Sequence, residues 1–249
     1  MITRYIVEKA VVVGGCGHVG LPLGVALANA GLTTVALDID IKKVASVNSG
    51  VLPFFENGLA DILSSTIKSG KFSASQDASV IREAKYVVVV IGTPVDSYLN
   101  PNPEAILVAL NEIKEYLNRD QILILRSTVF PGVTRQVEKW ALENIPGLEI
   151  SFCPERIAEG KAMTELYSLP QIIGVRSDAA FLLSEKVFSL LTSNLIRTTP
   201  EEAELAKLFT NVWRYIKFAA ANQFFMMAND FNVDYSKVRE DAADYWPGD

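Results

Sequence analysis

The sequence predicts a doubly wound α/β domain, a parallel sheet with helices on both faces, followed by one long helix that opens a helical domain. Three observations predict it. Short β-branched runs alternate with amphipathic stretches over residues 1–198. These runs are apolar throughout instead of alternating, the pattern of strands covered on both faces. A cluster of glycines directly follows the first run, where a strand would turn into a helix.

In chain order the strand candidates are "AVVVG" (10–14), "TTVALD" (33–38), "YVVVVIG" (86–92), "QILILRS" (121–127), "LEISFC" (148–153), "QIIGV" (171–175) and "NLIRT" (194–198). Between them the spacing predicts helices over 18–30, 41–49, 104–117, 133–143 and 178–192. Strand and helix alternating in this way make a parallel sheet with right-handed crossovers. After "TTP" the pattern changes: residues 201–230 contain no Gly or Pro, so one helix of about 45 Å fits at a rise of about 1.5 Å per residue. Leu205, Leu208, Phe209, Val212, Trp213, Ile216, Phe218, Phe224 and Phe225 wrap most of its circumference. A helix apolar on several sides is covered by other parts of its own chain or by a second subunit, and a homodimer through 201–230 is the simplest expectation.

Composition narrows the function classes. The chain has 249 residues, 49% of them apolar, which suffices for a substantial core. Its net charge is −6 and it has no basic block, so nucleic acid and anionic membrane surfaces are not expected partners. It has no signal peptide and no apolar run of about 18 residues, and its two cysteines, Cys16 and Cys153, have no metal-ligand spacing, so a reducing cytoplasm is expected. With His18 as the single histidine, neither a Ser/His triad nor a multi-histidine metal site can be built, and no metal is expected.

The glycine cluster fits G-x-G-x-x-G in one frame: Gly15, Gly17 and Gly20. In this reading Gly15 allows the tight turn, Gly17 lets a pyrophosphate approach the backbone, and Gly20 lets helix and sheet pack closely. The N–H groups of the first helical turn then face the anion. Asp38 ends the second strand, 18 residues beyond Gly20, where a carboxylate accepts from ribose hydroxyls and repels a 2′-phosphate. NAD is therefore expected over NADP in a Rossmann-type domain. Asp40 reads as a helix cap, and His18 as lining the loop beside the cofactor.

Ligands of an open α/β sheet sit beyond the carboxyl ends of its strands. Those ends carry "GTPVD" (92–96), "RSTVFPG" (126–132) and "CPERIAEG" (153–160), which would bring Thr93, Ser127, Thr128, Glu155 and Glu159 to one crevice. The plainer account makes the Thr93-Pro94 and Pro131-Gly132 pairs turns, and Glu155 and Glu159 an ordinary helix-face pair. On the long helix Lys207, Asn211 and Arg214 share one stripe, continued by Asn222. A lysine there suits an oxyanion, and it suits equally a side chain reaching solvent.

Through "GGCGHVGLPLGVALANAG", "ALDIDIKKVASVNSG", "VVIGTPVD", "RSTVFPGVT", "CPERIAEGKAMTEL" and "EAELAKLFTNVWRYIKFAAANQF", the chain resembles the nucleotide-sugar 6-dehydrogenases, the UDP-glucose/GDP-mannose dehydrogenase family. The resemblance implies oxidation of the C6 alcohol of a UDP-sugar to a uronate with two NAD⁺. It implies cofactor contacts from Gly15, Gly17, His18, Val19, Gly20, Asp38, Lys43, Thr93, Thr128 and Glu159. Glu155 and Thr128 would manage water and proton at C6, Lys207 and Asn211 would hold the oxyanion, and Arg156 and Arg214 would reach the sugar nucleotide. Arg156 in "PERIAEG" resembles the subgroup acting on UDP-N-acetylhexosamines, with UDP-glucose the alternative.

The family's nucleophilic cysteine lies in a "G-x-C-x-x-K-D" segment that this sequence does not contain. Residues 1–198 are then expected to be the NAD-binding domain and 199–249 the start of the central domain, binding NAD without completing the four-electron oxidation. Two other readings stay open: a β-hydroxyacid dehydrogenase, which also pairs Lys with Asn on a long helix, and a cofactor-binding or dimerisation module.

Overall fold

The computed structural model describes residues 8–92, 104–158 and 160–242. The chain divides into two compact units, Met1–Lys207 and Leu208–Asp249. The first unit is built on eight strands: β1 (Lys9–Val13), β2 (Thr33–Leu37), β3 (Phe72–Ser75), β4 (Tyr86–Val89), β5 (Ile122–Leu125), β6 (Glu149–Phe152), β7 (Gln171–Val175) and β8 (Leu195–Thr198). Their order across the sheet is β3-β2-β1-β4-β5-β6-β7-β8. The order reverses between β1 and β4, which pair in parallel from Ala10↔Tyr86 to Val13↔Val89. That reversal opens a crevice at the carboxyl ends, the place where ligands bind in such sheets.

Continuous apolarity follows from burial on two sides. Val11, Val13, Val87, Val89, Leu123 and Leu125 face one core with α4 (Ala105–Ile113) and α5 (Val133–Asn144). Their neighbours Ala10, Val12, Tyr86, Val88, Ile122 and Ile124 face the other, with α1 (Gly20–Asn29) and α7 (Asp178–Phe188). Period-two side-chain direction turns an unbroken apolar run into two half-layers. A third cluster packs α1 and β3 against α2 (Ile41–Asn48) and α3 (Leu59–Lys68).

The sheet departs from the all-parallel expectation at one place: β7 runs antiparallel to β6, pairing Phe152 with Gly174. The cause lies in the connection. Arg126 holds Glu155, and Glu56 accepts from the Gly160 and Ala162 N–H groups, at the carboxyl edge; among the described residues the only helix between β6 and β7 is the short α6 (Ala162–Ser168). The chain therefore never returns to the amino edge, which a parallel strand requires. From β7, α7 makes a true crossover and β8 pairs parallel to β7.

Strand β3 and helix α3 are also absent from the sequence reading. β3 is a four-residue edge strand, FSAS, that buries only Phe72 and Ala74. It is too short and serine-rich to show a run.

Helix α8 (Pro200–Asp230) realises the predicted long helix. The compact division falls inside it, after Lys207. Ala203 and Glu204 in its first turn are buried in the sheet unit, and a Cβ on Gly174 of β7 would stand 2.8 Å from the Ala203 Cβ. In the second unit, α8 exposes Phe209, Trp213, Tyr215, Ile216 and Phe218, and α9 (Tyr235–Asp241) follows, with Tyr235 edge-on to Phe225 at 6.0 Å.

Candidate functional site at the carboxyl edge of the sheet

Where β1 ends, the N–H groups of Gly14 and Gly15 both donate to the Leu37 carbonyl of β2, at 2.8 and 3.1 Å. Gly14 has φ +76°, and a Cβ there would sit 2.5 Å from the Val90 carbonyl oxygen just past β4. The tight turn assigned to Gly15 by the motif thus belongs to Gly14, one residue earlier. Gly15 is instead a packing position, where a Cβ would lie 2.7 Å from the Ala36 Cα. Gly20 brings α1 against the loop: its Cβ would meet the Gly14 oxygen at 2.6 Å.

Gly17 differs from all three. A Cβ there would touch only the Gly14 oxygen, at an ordinary 3.7 Å. Protein packing therefore does not demand glycine at this position. Val19 precedes α1 without any side-chain cap, and the first turn of α1 holds no acidic residue. A helix N-terminus of this kind, without a side-chain cap or an acidic first turn, is compatible with an anion.

Asp38 stands beside the loop. One of its oxygens accepts from the Cys16 N–H at 2.9 Å, the other from the Asp40 N–H at 3.1 Å. Each oxygen keeps a lone pair for a further donor. Asp40 caps α2 as expected, accepting from the Lys42 and Lys43 N–H groups. The Lys43 ammonium lies 3.9 Å from Asp40 on the exposed side of α2. The His18 ring stacks on Phe54 with centroids 4.0 Å apart. The Cys16 thiol is fully buried, and burial, helped by Asp38, pushes its pKa up to about 12. It is a packing group, as is Cys153, pushed up to about 11 by burial.

Beyond β5 and β6 the edge is made of side chains. Arg126, 2% exposed, donates from its Nε to Glu155 at 2.8 Å and from Nη2 to the same oxygen. It also donates to the Cys153 carbonyl and, at 2.9 Å, to the Gln171 side chain, and lies over the Phe188 ring. The other Glu155 oxygen accepts from the Arg156 and Ile157 N–H groups at 2.6 and 2.9 Å. Glu155 thus lies in a loop and not on a helix, which removes the helix-face account for that residue. Arg156 is half-buried and donates to the Pro170 carbonyl, so it points toward the start of β7 in this structure; burial lowers its pKa.

Ser127 donates to the Ile91 carbonyl at 2.7 Å, joining the ends of β5 and β4, and places Thr128 next along the same edge. Thr93 and Glu159, both expected at the cofactor, lie outside the described residues. Lys207 is half-buried and closes the first unit; Asn211, half-buried, and Arg214, exposed, belong to the second. Among the described residues no group of three or more His, Cys, Asp or Glu could hold a metal ion.

Sequence reasoning missed four groups here: Gly14, Arg126, Glu56 and Glu204. Glu56 is buried and accepts from the Gly160 and Ala162 N–H groups at 3.0 and 2.9 Å, while Asn57 donates to the Gly160 carbonyl. Only Arg126 left a signal, as a charge directly ending a fully apolar strand, which needs a counter-ion. The others depend on contacts 70 or more residues away in the chain.

Fold and site together define a dinucleotide-binding domain of the dehydrogenase type. Residues 9–192 match the model of the UDP-glucose/GDP-mannose dehydrogenase family, NAD binding domain. The chain belongs to this family. It is 28% identical over 233 residues to the UDP-N-acetyl-D-mannosamine dehydrogenase of Pyrococcus horikoshii, covering 91% of this chain and 55% of that protein. To the UDP-glucose 6-dehydrogenase of Bacillus subtilis it is 27% identical over 237 residues, covering 93% and 51%. The chain thus spans about half the length of these relatives. The solved UDP-D-ManNAc dehydrogenase from Pyrococcus horikoshii superimposes with a TM-score of 0.88 at 26% identity, covering 97% of this chain and 59% of that one. GDP-mannose dehydrogenase from Pseudomonas aeruginosa shares the fold, with a TM-score of 0.85 at 24% identity over 95% of this chain and 56% of that one.

Proposed function

We propose that the protein is an NAD-dependent UDP-sugar 6-dehydrogenase whose substrate is a UDP-N-acetylhexosamine. The observation that carries the reading is the family's NAD-binding domain with its cradle intact: Gly17 bare toward the outside, an uncapped α1, and Asp38 beside them at the β1/β4 crevice. His18, Val19 and Lys43 belong to the same cofactor site, and Thr93, Thr128 and Glu159 are assigned to the cofactor with them. The relatives' names, UDP-N-acetyl-D-mannosamine dehydrogenase foremost, support the substrate class.

NAD⁺ supplies the hydride acceptor. The chain's own residues bind, orient and move protons. Thr128 and Glu155 hold the water and the proton at C6. Glu155 is fixed for this by Arg126 and two backbone N–H groups. Lys207 and Asn211 stabilise the oxygen as it gains charge, a role worth about 3–4 kcal/mol for one well-placed donor. Arg156 and Arg214 reach the sugar nucleotide, Arg156 by leaving the Pro170 carbonyl. The exposed aromatic residues of α8 support a homodimer. No described helix is long and apolar enough to cross a membrane, and we place the protein in the cytoplasm.

Two measurements test this reading. NADH titration should show binding that Asp38→Ala weakens while relaxing the preference over NADPH; unchanged selectivity would remove the role of that carboxylate. NAD⁺ reduction by the full-length gene product should proceed with UDP-N-acetylmannosamine or UDP-N-acetylglucosamine. Reduction with small 3-hydroxy acids and none with UDP-sugars would replace the proposal by a β-hydroxyacid dehydrogenase.

A further inference from the structure

Glu204 has no role in the dehydrogenase reading so far, yet it is 1% exposed and its carboxylate is fully engaged. It accepts from the Gly132 N–H at 2.7 Å, the Thr134 N–H at 2.8 Å and the Thr134 hydroxyl at 2.6 Å. These donors are the start of α5, whose own N-cap, Gly132 at φ +95°, offers no side chain, and whose first turn has no acidic residue. A helix N-terminus needs acceptors for its free N–H groups and favours negative charge. In this fold α8 provides both, from 70 residues away.

The contact links two chemically important places within the first unit. Residues 126–132, which carry Ser127 and Thr128, run directly from β5 into the capped end of α5. Lys207 lies one turn beyond Glu204 on α8. A buried carboxylate with three short hydrogen bonds is a rigid joint, since breaking it would leave a charge and three donors unsatisfied. Ala203, packed on Gly174 of β7, keeps the same turn from rolling.

We propose that Glu204 is a positioning residue that fixes Lys207 relative to Thr128 by capping α5 from α8. Its catalytic consequence rests on the dehydrogenase reading, in which those two groups serve the reacting carbon; its geometric content does not.

The test therefore has two arms. In the first, spin labels are placed at Thr128→Cys and Lys207→Cys and their distance distribution is measured; both native cysteines are fully buried, so only the introduced thiols react. Glu204→Ala should broaden the distribution roughly twofold, as a joint held in one state becomes several. Thr134→Val, which removes one of the three bonds, should broaden it less. A width unchanged in both variants overturns the proposal.

In the second arm, the full-length gene product is assayed with UDP-N-acetylmannosamine. Glu204→Ala should lower kcat about tenfold or more while KM for NAD⁺ stays within about twofold, and Glu204→Gln, able to keep part of the cap, should recover part of kcat. A fall in thermal stability with kcat unchanged would make Glu204 a structural cap alone and also overturn the proposal. If the wild type turns over no UDP-sugar but the labels respond, the joint stands and the dehydrogenase reading falls.

Discussion

The carboxyl edge of the sheet is built in two different materials. After β1 and β2 it is main chain: Gly14 and Gly15 bonded to the Leu37 carbonyl, Gly17 and Gly20 leading into α1, and a single carboxylate, Asp38, tied to the same backbone. After β5 and β6 it is buried side chains: Arg126, Glu155 and Gln171 satisfying one another, with Glu204 doing the same under α5. In the proposed reading the first half binds through main chain and one carboxylate. The second holds its shape by leaving almost no polar group available. A diphosphate is met by any well-placed set of N–H groups, so the cofactor end tolerates a generic scaffold. Proton transfer and oxyanion stabilisation require positions fixed to a fraction of an ångström, so the chemical end needs over-determined side chains.

The largest effect should come from the second half. Arg126→Met leaves Glu155 buried without its partner and should cost about 3–5 kcal/mol in urea unfolding, whereas Arg126→Met with Glu155→Gln should recover most of it. A single variant within about 1 kcal/mol of wild type would show that the two halves do not differ in this way.

Within the first half two glycines should separate. Gly14→Ala places a Cβ 2.5 Å from the Val90 oxygen at φ +76°, and should cost about 2 kcal/mol or more of stability. Gly17→Ala meets nothing closer than 3.7 Å and should leave stability within about 0.5 kcal/mol. It should nevertheless weaken NADH about tenfold, roughly 1.4 kcal/mol of binding. Loss of stability without loss of binding at Gly17 would mean that the loop is packed and not poised.

The smallest effect lies on the surface, where Arg176 bonds Glu201 at 2.6 Å and holds its carboxyl down to about 2, against an ordinary 4.5. A depressed folded-state value contributes stability above pH 4.5 that is lost as pH falls from there toward 2. Both groups are partly exposed, so solvent screening keeps the term below about 1 kcal/mol. Arg176→Gln should flatten the acid limb of stability over that window; an unaltered limb would remove the pair from the ledger of charged contacts that matter.

The residues that could be read from the sequence share one property: their meaning is local. Gly17, Gly20 and Asp38 lie close together in one strand–turn–helix unit and the strand after it, and Asp40 caps the helix it immediately precedes. The residues that could not be read act at a distance. Which glycine carries the turn was decided by the Val90 carbonyl just past β4. The reversal of β7 was decided by the anchoring of Glu155, Gly160 and Ala162, and the place of Glu155 by an arginine 29 residues earlier.

By itself the sequence determined the layering, the glycine loop, the acid that stands beside it and the long helix. These depend on periodicity and on backbone freedom, which each short segment carries with it. Only the tertiary structure decided which charges are buried together, which way the strands beyond the sixth run, and how α8 is fastened to the sheet. Burial of a charge is set by whatever surrounds it, and that environment exists only after the chain has closed on itself.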